Sequence, residues 1–184
     1  MSYACFKVGA IVTPLNPAYT PAQVISALKH VSAKCFVLSA EIMLPYKQPK
    51  SAASLLSAVL QEVGQYGFVS ILVDNSTGQA RKSEFGVTAE YEQLLSSNQG
   101  RRLPPQDHLK NYDIATIQFT SGTTSAPKAA CLTHRNVLNN GLFVGLGMEL
   151  TELDIVCCPP PLYHCFGLVL GIIATMNYGA PLFI

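Results

Sequence analysis

The sequence predicts an α/β fold, a mostly parallel sheet flanked by helices, and three observations carry that reading. Apolar segments of strand length alternate with amphipathic segments of helix length along much of the 184 residues. The strand segments, such as Cys35-Phe36-Val37-Leu38, are continuous apolar runs, as expected where helices cover a sheet. Punctuating residues fall between the segments: Asn16-Pro17, Thr20-Pro21 and Pro159-Pro160-Pro161.

Residues 11–16 read as the first strand, ending at Asn16-Pro17. Thr20 then serves as N-cap and Pro21 as first residue of a helix over 21–31, where the missing proline N–H costs nothing. Val24, Ile25 and Leu28 lie on one side of it. Residues 35–38 form the next strand, and a polar, poorly patterned stretch follows to about Pro49. Residues 51–63 place Leu55, Leu56, Val59, Leu60 and Val63 at helical spacing, and 68–73 return to strand. Residues 74–87 read as loop and 90–95 as a short helix; 96–111, with Pro104-Pro105 and Arg101-Arg102, read as a surface connection. Residues 115–119 form a half-buried strand and 129–133 a short strand or extended exit. Thr133 can cap a helix over 134–148 that packs through Val137, Leu138, Leu142 and Val144. Residues 155–158 make a strand, a helix runs from His164 to about Asn177, and 182–184 make the last strand.

Charged residues are 12% of the chain and hydrophobic ones 49%. Soluble domains usually carry ~25% charged residues, so much of this surface is expected to lie inside something larger. Both ends point the same way, since the chain opens almost directly into an apolar run and stops on Pro181-Leu182-Phe183-Ile184. The net charge of +1 and the lack of basic clusters give no footprint for nucleic acid or an anionic membrane. No apolar run reaches the ~20 residues of a transmembrane segment. The six cysteines, at 5, 35, 131, 157, 158 and 165, sit mostly in apolar runs without CxxC spacing. They read as buried, reduced thiols of an intracellular protein. Cys157, Cys158, His164 and Cys165 are poor metal ligands as a set, because neighbouring strand residues face opposite ways.

The stretch hardest to explain as packing is Thr120-Ser121-Gly122-Thr123-Thr124-Ser125-Ala126-Pro127-Lys128. Hydroxyls and free backbone N–H groups donate hydrogen bonds, glycine permits close approach, and lysine brings a full charge, all of which suit a triphosphate. Ser, Thr, Gly and Pro also build ordinary surface turns. Placement between two strands favours the phosphate reading and excludes a Walker A loop, which needs glycine directly before its lysine and a helix just after Lys-Ser/Thr. Here Pro127 precedes Lys128 and Ala129 follows it.

Extended to Ile117-Gln118-Phe119 on one side and Leu132-Thr133-His134-Arg135-Asn136 on the other, the motif resembles the phosphate-binding signature of adenylate-forming (AMP-binding) enzymes. Gly9-Ala10-Ile11-Val12-Thr13-Pro14-Leu15-Asn16-Pro17-Ala18-Tyr19 is similar to their upstream strand and turn. Pro161-Leu162-Tyr163-His164-Cys165-Phe166-Gly167 is similar to the acyl-pocket motif of acyl-CoA synthetases. The medium-chain fatty acyl-CoA ligase branch resembles the chain most closely.

The resemblance implies ATP-dependent acyl-adenylate formation followed by thioester formation with CoA, with Mg2+ as the metal and a carboxylic acid, a fatty acid in this branch, as substrate. It implies phosphate contacts from Thr120, Ser121, Gly122, Thr123, Thr124 and Lys128, with Thr123 or Thr124 as the magnesium neighbour, and an acyl pocket using Tyr163, His164 and Gly167. His164 has a structural alternative as a satisfied histidine at a helix start, the reading also favoured for His134. Residues 1–184 are then expected to be part of the large N-terminal domain, incomplete at both ends, without the small C-terminal domain and with little activity alone. The compartment is left open among cytoplasm, mitochondrion and peroxisome. Two other readings stand beside this one: a non-catalytic nucleotide-binding or partner-binding remnant, and an aryl-CoA ligase or amino-acid adenylation fragment. Ser125 and Ala129 depart from the pattern, each standing where the family usually has glycine.

Overall fold

The computed structural model describes residues 1–45, 47–64, 67–75, 85–120 and 127–184. They form two units, Pro17–Leu103 and a discontinuous one made of Met1–Asn16 with Pro104–Ile184. In chain order the elements are α1 (Ser2–Val8), α2 (Pro21–His30), β1 (Cys35–Ser39), β2 (Glu41–Ile42), β3 (Lys50–Ser51) and α3 (Ala53–Val63). There follow β4 (Val69–Val73), β5 (Ala89–Glu90), α4 (Tyr91–Ser97), β6 (Ile114–Thr120), β7 (Lys128–Thr133) and α5 (His134–Gly147). The chain closes with β8 (Val156–Cys157), a π-helix (Phe166–Ile173) continuing into α6 (Ala174–Tyr178), and β9 (Leu182–Phe183).

The unit Pro17–Leu103 is a parallel sheet in the order β1-β4-β5, as the alternating pattern predicts. The α2 helix begins with a full capping box, since the Gln23 N–H donates to Thr20 Oγ1 at 3.3 Å and the Thr20 N–H donates to Gln23 Oε1 at 2.9 Å. Leu38, Ala40, Leu56, Leu72, Phe85 and Val87 make the core between sheet and α3. Lys29 on α2 donates to Glu62 on α3 at 2.7 Å. Ser70 is fully buried in β4 and is satisfied by Thr88, each backbone N–H donating to the other's hydroxyl at 3.1 Å. The polar stretch after β1 hides a short antiparallel pair, β2 with β3, that two-residue strands are too short to announce by period.

In the discontinuous unit, β6 and β7 form an antiparallel hairpin, and β8 pairs with β9 in parallel. The expected strand at 11–16 is reduced to one parallel bridge, Val12 to Thr116. Pro14 and Pro17 lack the N–H groups a ladder needs, so pairing stops where it begins. That single residue is held at three points: its N–H donates to Ala115 O at 3.0 Å, and its carbonyl accepts from the Ile117 N–H at 3.0 Å and the Thr116 hydroxyl at 2.7 Å. The apolar run before it is helical, ending where Gly9 takes φ 74. The helix expected from His164 is π-helical over its first part, and the Thr175 hydroxyl satisfies the Gly171 and Ile172 carbonyls at 2.9 and 3.0 Å. No helix among the described residues is long and apolar enough to cross a membrane.

The cysteine expectation needs correction. None of the six forms a disulfide, but only Cys158 is buried; Cys35, Cys131 and Cys157 are exposed. Alternation on β8 explains the last case, because Cys158 turns under the π-helix while Cys157 faces the other way.

Candidate functional site

The hairpin fixes the two ends of the hydroxyl-rich stretch. Thr120 and Lys128 are register partners across β6 and β7, and the Thr120 hydroxyl donates to the Lys128 carbonyl at 3.4 Å. Ser121, Gly122, Thr123 and Thr124 lie outside the described residues, as does Ser125. Lys128 is exposed, so its ammonium is free to meet an anion at the hairpin mouth. Ala129 pairs with Phe119 inside the ladder, and its φ lies outside the left-handed region, so the missing glycine costs no backbone strain there.

The base of the hairpin is buried and hydrogen-bonded. Ala115, Thr116 and Gln118 are buried along β6, and Gln118 Nε2 donates to Thr116 Oγ1 at 3.4 Å. On the return side Thr133 caps α5 through a second capping box: the Asn136 N–H donates to Thr133 Oγ1 at 3.1 Å, and the Thr133 N–H donates to Asn136 Oδ1 at 3.0 Å. Strand β7 therefore passes into α5 without a loop, and the direction of Lys128 is tied to that helix.

The second predicted cluster starts the π-helix. His164 is exposed, and its Nδ1 accepts the Phe166 N–H at 3.1 Å, with Cys165 Sγ 3.7 Å away. The imidazole thus satisfies one of the amide donors that a helix start leaves unpaired. An accepting Nδ1 puts the proton of the neutral ring on Nε2, leaving Nε2–H as the face for a ligand. Tyr163 is half-buried beside it. Gly167 is buried, and a Cβ there would stand 2.5 Å from the Pro161 carbonyl oxygen and 2.8 Å from that of Pro160. Only glycine lets the helix approach the triple proline this closely.

One hydrophobic cluster joins the two parts. Val137 from α5 packs with Leu168, Val169 and Ile173 of the π-helix, and Leu132 of β7 and Cys165 lie against them. His134 sits at the start of α5, its ring edge-on to Phe6 at 5.8 Å and its N–H donating to Asp113 O at 3.0 Å, in keeping with a structural role. Among the described residues no group of three or more His, Cys, Asp or Glu side chains could hold a metal ion. The residue that sequence reasoning missed is Thr116: its buried hydroxyl anchors the N-terminal segment, yet in sequence it reads as one more polar position in a strand.

Known proteins resemble this chain in sequence and in fold. The chain is 37% identical over 190 residues to the acyl-CoA ligase sidI of Aspergillus fumigatus, covering 97% of this chain and 30% of that protein. It is 30% identical over 192 residues to the mitochondrial medium-chain acyl-CoA ligase ACSF2 of Danio rerio, again covering 97% of this chain and 30% of the relative. The chain therefore spans about 30% of the length of the curated relatives it matches. Among solved structures, ATP-bound MatB from Rhodopseudomonas palustris superimposes with a TM-score of 0.74 at 22% identity, over 100% of this chain and 32% of that one. The fold is that of the N-terminal domain of adenylate-forming enzymes. With the family model for AMP-binding enzymes matching residues 1–184 throughout, hairpin, capped helix and His164 motif included, the chain belongs to the AMP-binding enzyme family.

Proposed function

We propose that these residues supply the phosphate-binding hairpin and the acyl-pocket entrance of an ATP-dependent fatty acyl-CoA ligase. The observation that carries the reading is the pairing of Thr120 with Lys128, which leaves an exposed cation at the end of the hydroxyl-rich stretch. Thr120, Ser121, Gly122, Thr123, Thr124 and Lys128 act on the β- and γ-phosphates. Their hydrogen bonds and charge hold the triphosphate while the acid carboxylate attacks the α-phosphorus and pyrophosphate leaves. CoA thiol then displaces AMP from the acyl-adenylate. Tyr163, His164 and Gly167 shape the entrance for the acid, with His164 Nε2–H as the donor toward its carboxylate. A medium-chain fatty acid is the favoured substrate, supported by the similarity to medium-chain acyl-CoA ligases.

Magnesium suits the donors offered. The hydroxyl oxygens of Thr123 or Thr124 are hard ligands, and Mg2+ commonly takes only one or two protein ligands alongside substrate phosphates. When bound, it neutralises charge on the phosphates. We further propose that the 184 residues form part of a larger AMP-binding N-terminal domain and turn over little by themselves, since adenylation needs several groups positioned together.

Calorimetric titration with ATP–Mg2+ and ATP–pyrophosphate exchange over a fatty-acid panel test both statements. Weak nucleotide binding that depends on Lys128, without robust exchange, is expected. No ATP binding would sink the phosphate-hairpin assignment, and robust exchange would sink the claim of low intrinsic activity.

A further inference from the structure

Apart from the hairpin and the His164 motif, the discontinuous unit holds a cavity of about 170 Å³ between α1, β6, α5 and the π-helix. Its floor is apolar and buried, made by Ala115, Val137 and Ile173, which are 1%, 3% and 2% exposed. Phe6 and His134 form one wall in an edge-to-face pair. Lys7 belongs to the lining and is exposed.

The size and walls select a ring. An apolar cavity of about 150 Å³ is known to take up benzene, and aromatic walls favour an aromatic guest placed edge to face. The charge selects an anion. Lys7 joins no ion pair or side-chain hydrogen bond among the described residues. The amides at the start of α5 are already used, the His134 N–H by Asp113 O, the Arg135 N–H by Asn111 O and the Asn136 N–H by the Thr133 hydroxyl. The nearby Asp113 carboxylate accepts the Lys110 N–H at 2.8 Å. Among the lining residues Tyr3 and His134 offer a hydroxyl and an imidazole, and Lys7 offers the ammonium that can meet a ligand's charge.

We propose that this cavity binds a small aromatic carboxylate, its ring over Ala115, Val137 and Ile173 and its carboxylate at Lys7. The site uses none of the residues assigned to phosphates or to the acyl entrance, so it stands or falls apart from that assignment.

The test is a 1H–15N NMR titration of the 184-residue chain with benzoate, with benzyl alcohol as the uncharged ring and acetate as the ringless anion. Saturable millimolar benzoate shifts at α1, the first turns of α5, Ala115 and Ile173 are expected, with weaker benzyl alcohol binding and none by acetate. Lys7→Gln should weaken benzoate about two- to fivefold, the range for an exposed charge pair, and leave benzyl alcohol unchanged. Leu138→Trp, at the half-exposed rim, should abolish binding of both rings while the rest of the spectrum stays native. Absent or non-saturating shifts, shifts elsewhere, or equal benzoate affinity in Lys7→Gln would each overturn the proposal.

Discussion

Replacing Gly167 by alanine probes the contact that positions His164. The added methyl would fall 2.5 Å from the Pro161 carbonyl oxygen and 2.8 Å from that of Pro160, and both obstacles are backbone. Overpacking costs about 1–3 kcal/mol, and backbone that cannot rotate aside calls for the upper end. Alanine recovers about 1 kcal/mol over glycine in a helix, so the net loss is about 2 kcal/mol. For a chain of this size that corresponds to about 4–8 °C in Tm. Gly147 is the matched control: it ends α5, a methyl placed on it would meet nothing within 4 Å, and it needs no positive φ, so Gly147→Ala should stabilise by up to ~1 kcal/mol. Urea and thermal unfolding followed by circular dichroism compare the two. If Gly167→Ala proves as stable as Gly147→Ala, the close approach of π-helix to triple proline does not constrain residue 167. The His164 N–H donates to Pro161 O at 3.0 Å, so relief of the clash should also shift the His164 resonances.

Thr133→Ala removes the α5 capping box and should cost about 1 kcal/mol in urea unfolding, whereas Thr133→Ser should keep most of it; equal stability of all three would contradict the cap's role. Lys128→Ala should weaken ATP–Mg2+ binding about 10- to 100-fold, as expected for losing a hydrogen bond to a charged group, and leave acid binding nearly unchanged; the reverse pattern would count against the phosphate assignment. Glu62 is held below the ordinary carboxylate range, first by the hydrogen bond from Lys29 and then by its charge. Because the folded pKa is lowered, this contribution is present above the unfolded carboxylate pKa and is lost as pH falls through the lowered one. Lys29→Met should return the Glu62 NMR midpoint upward, and an unmoved midpoint would refute the pairing as its cause.

Much of the architecture was legible because local chemistry and tertiary demand agree. Thr20-Pro21 and Thr133 marked helix starts that the structure realises with reciprocal hydrogen bonds. The runs at 35–38 and 68–73 form the parallel pair β1 and β4. The strands expected on either side of the hydroxyl-rich stretch are β6 and β7, which pair antiparallel. Residues 11–16 were misread because apolar content suggests a strand while Pro14 and Pro17 deny it a ladder. The π-register of 166–173 had no signal, since its composition equally suits an α-helix. The double character of His164, cap acceptor through one nitrogen and free donor through the other, depends on a tautomer that only the Phe166 contact reveals.

The grip on Val12 has a consequence for the order of assembly. The hydrogen bond from Thr116 joins residues 104 apart in sequence, and closing a flexible loop of that length costs roughly 4 kcal/mol on a logarithmic chain-entropy estimate. Hairpin and capped helix, by contrast, are made of neighbours and form within microseconds. The N-terminal segment is therefore the last piece of its unit to join, arriving once the residues between have folded and shortened the effective loop. Until then the edge of β6 at Thr116 lacks the one bridge that Val12 makes to it.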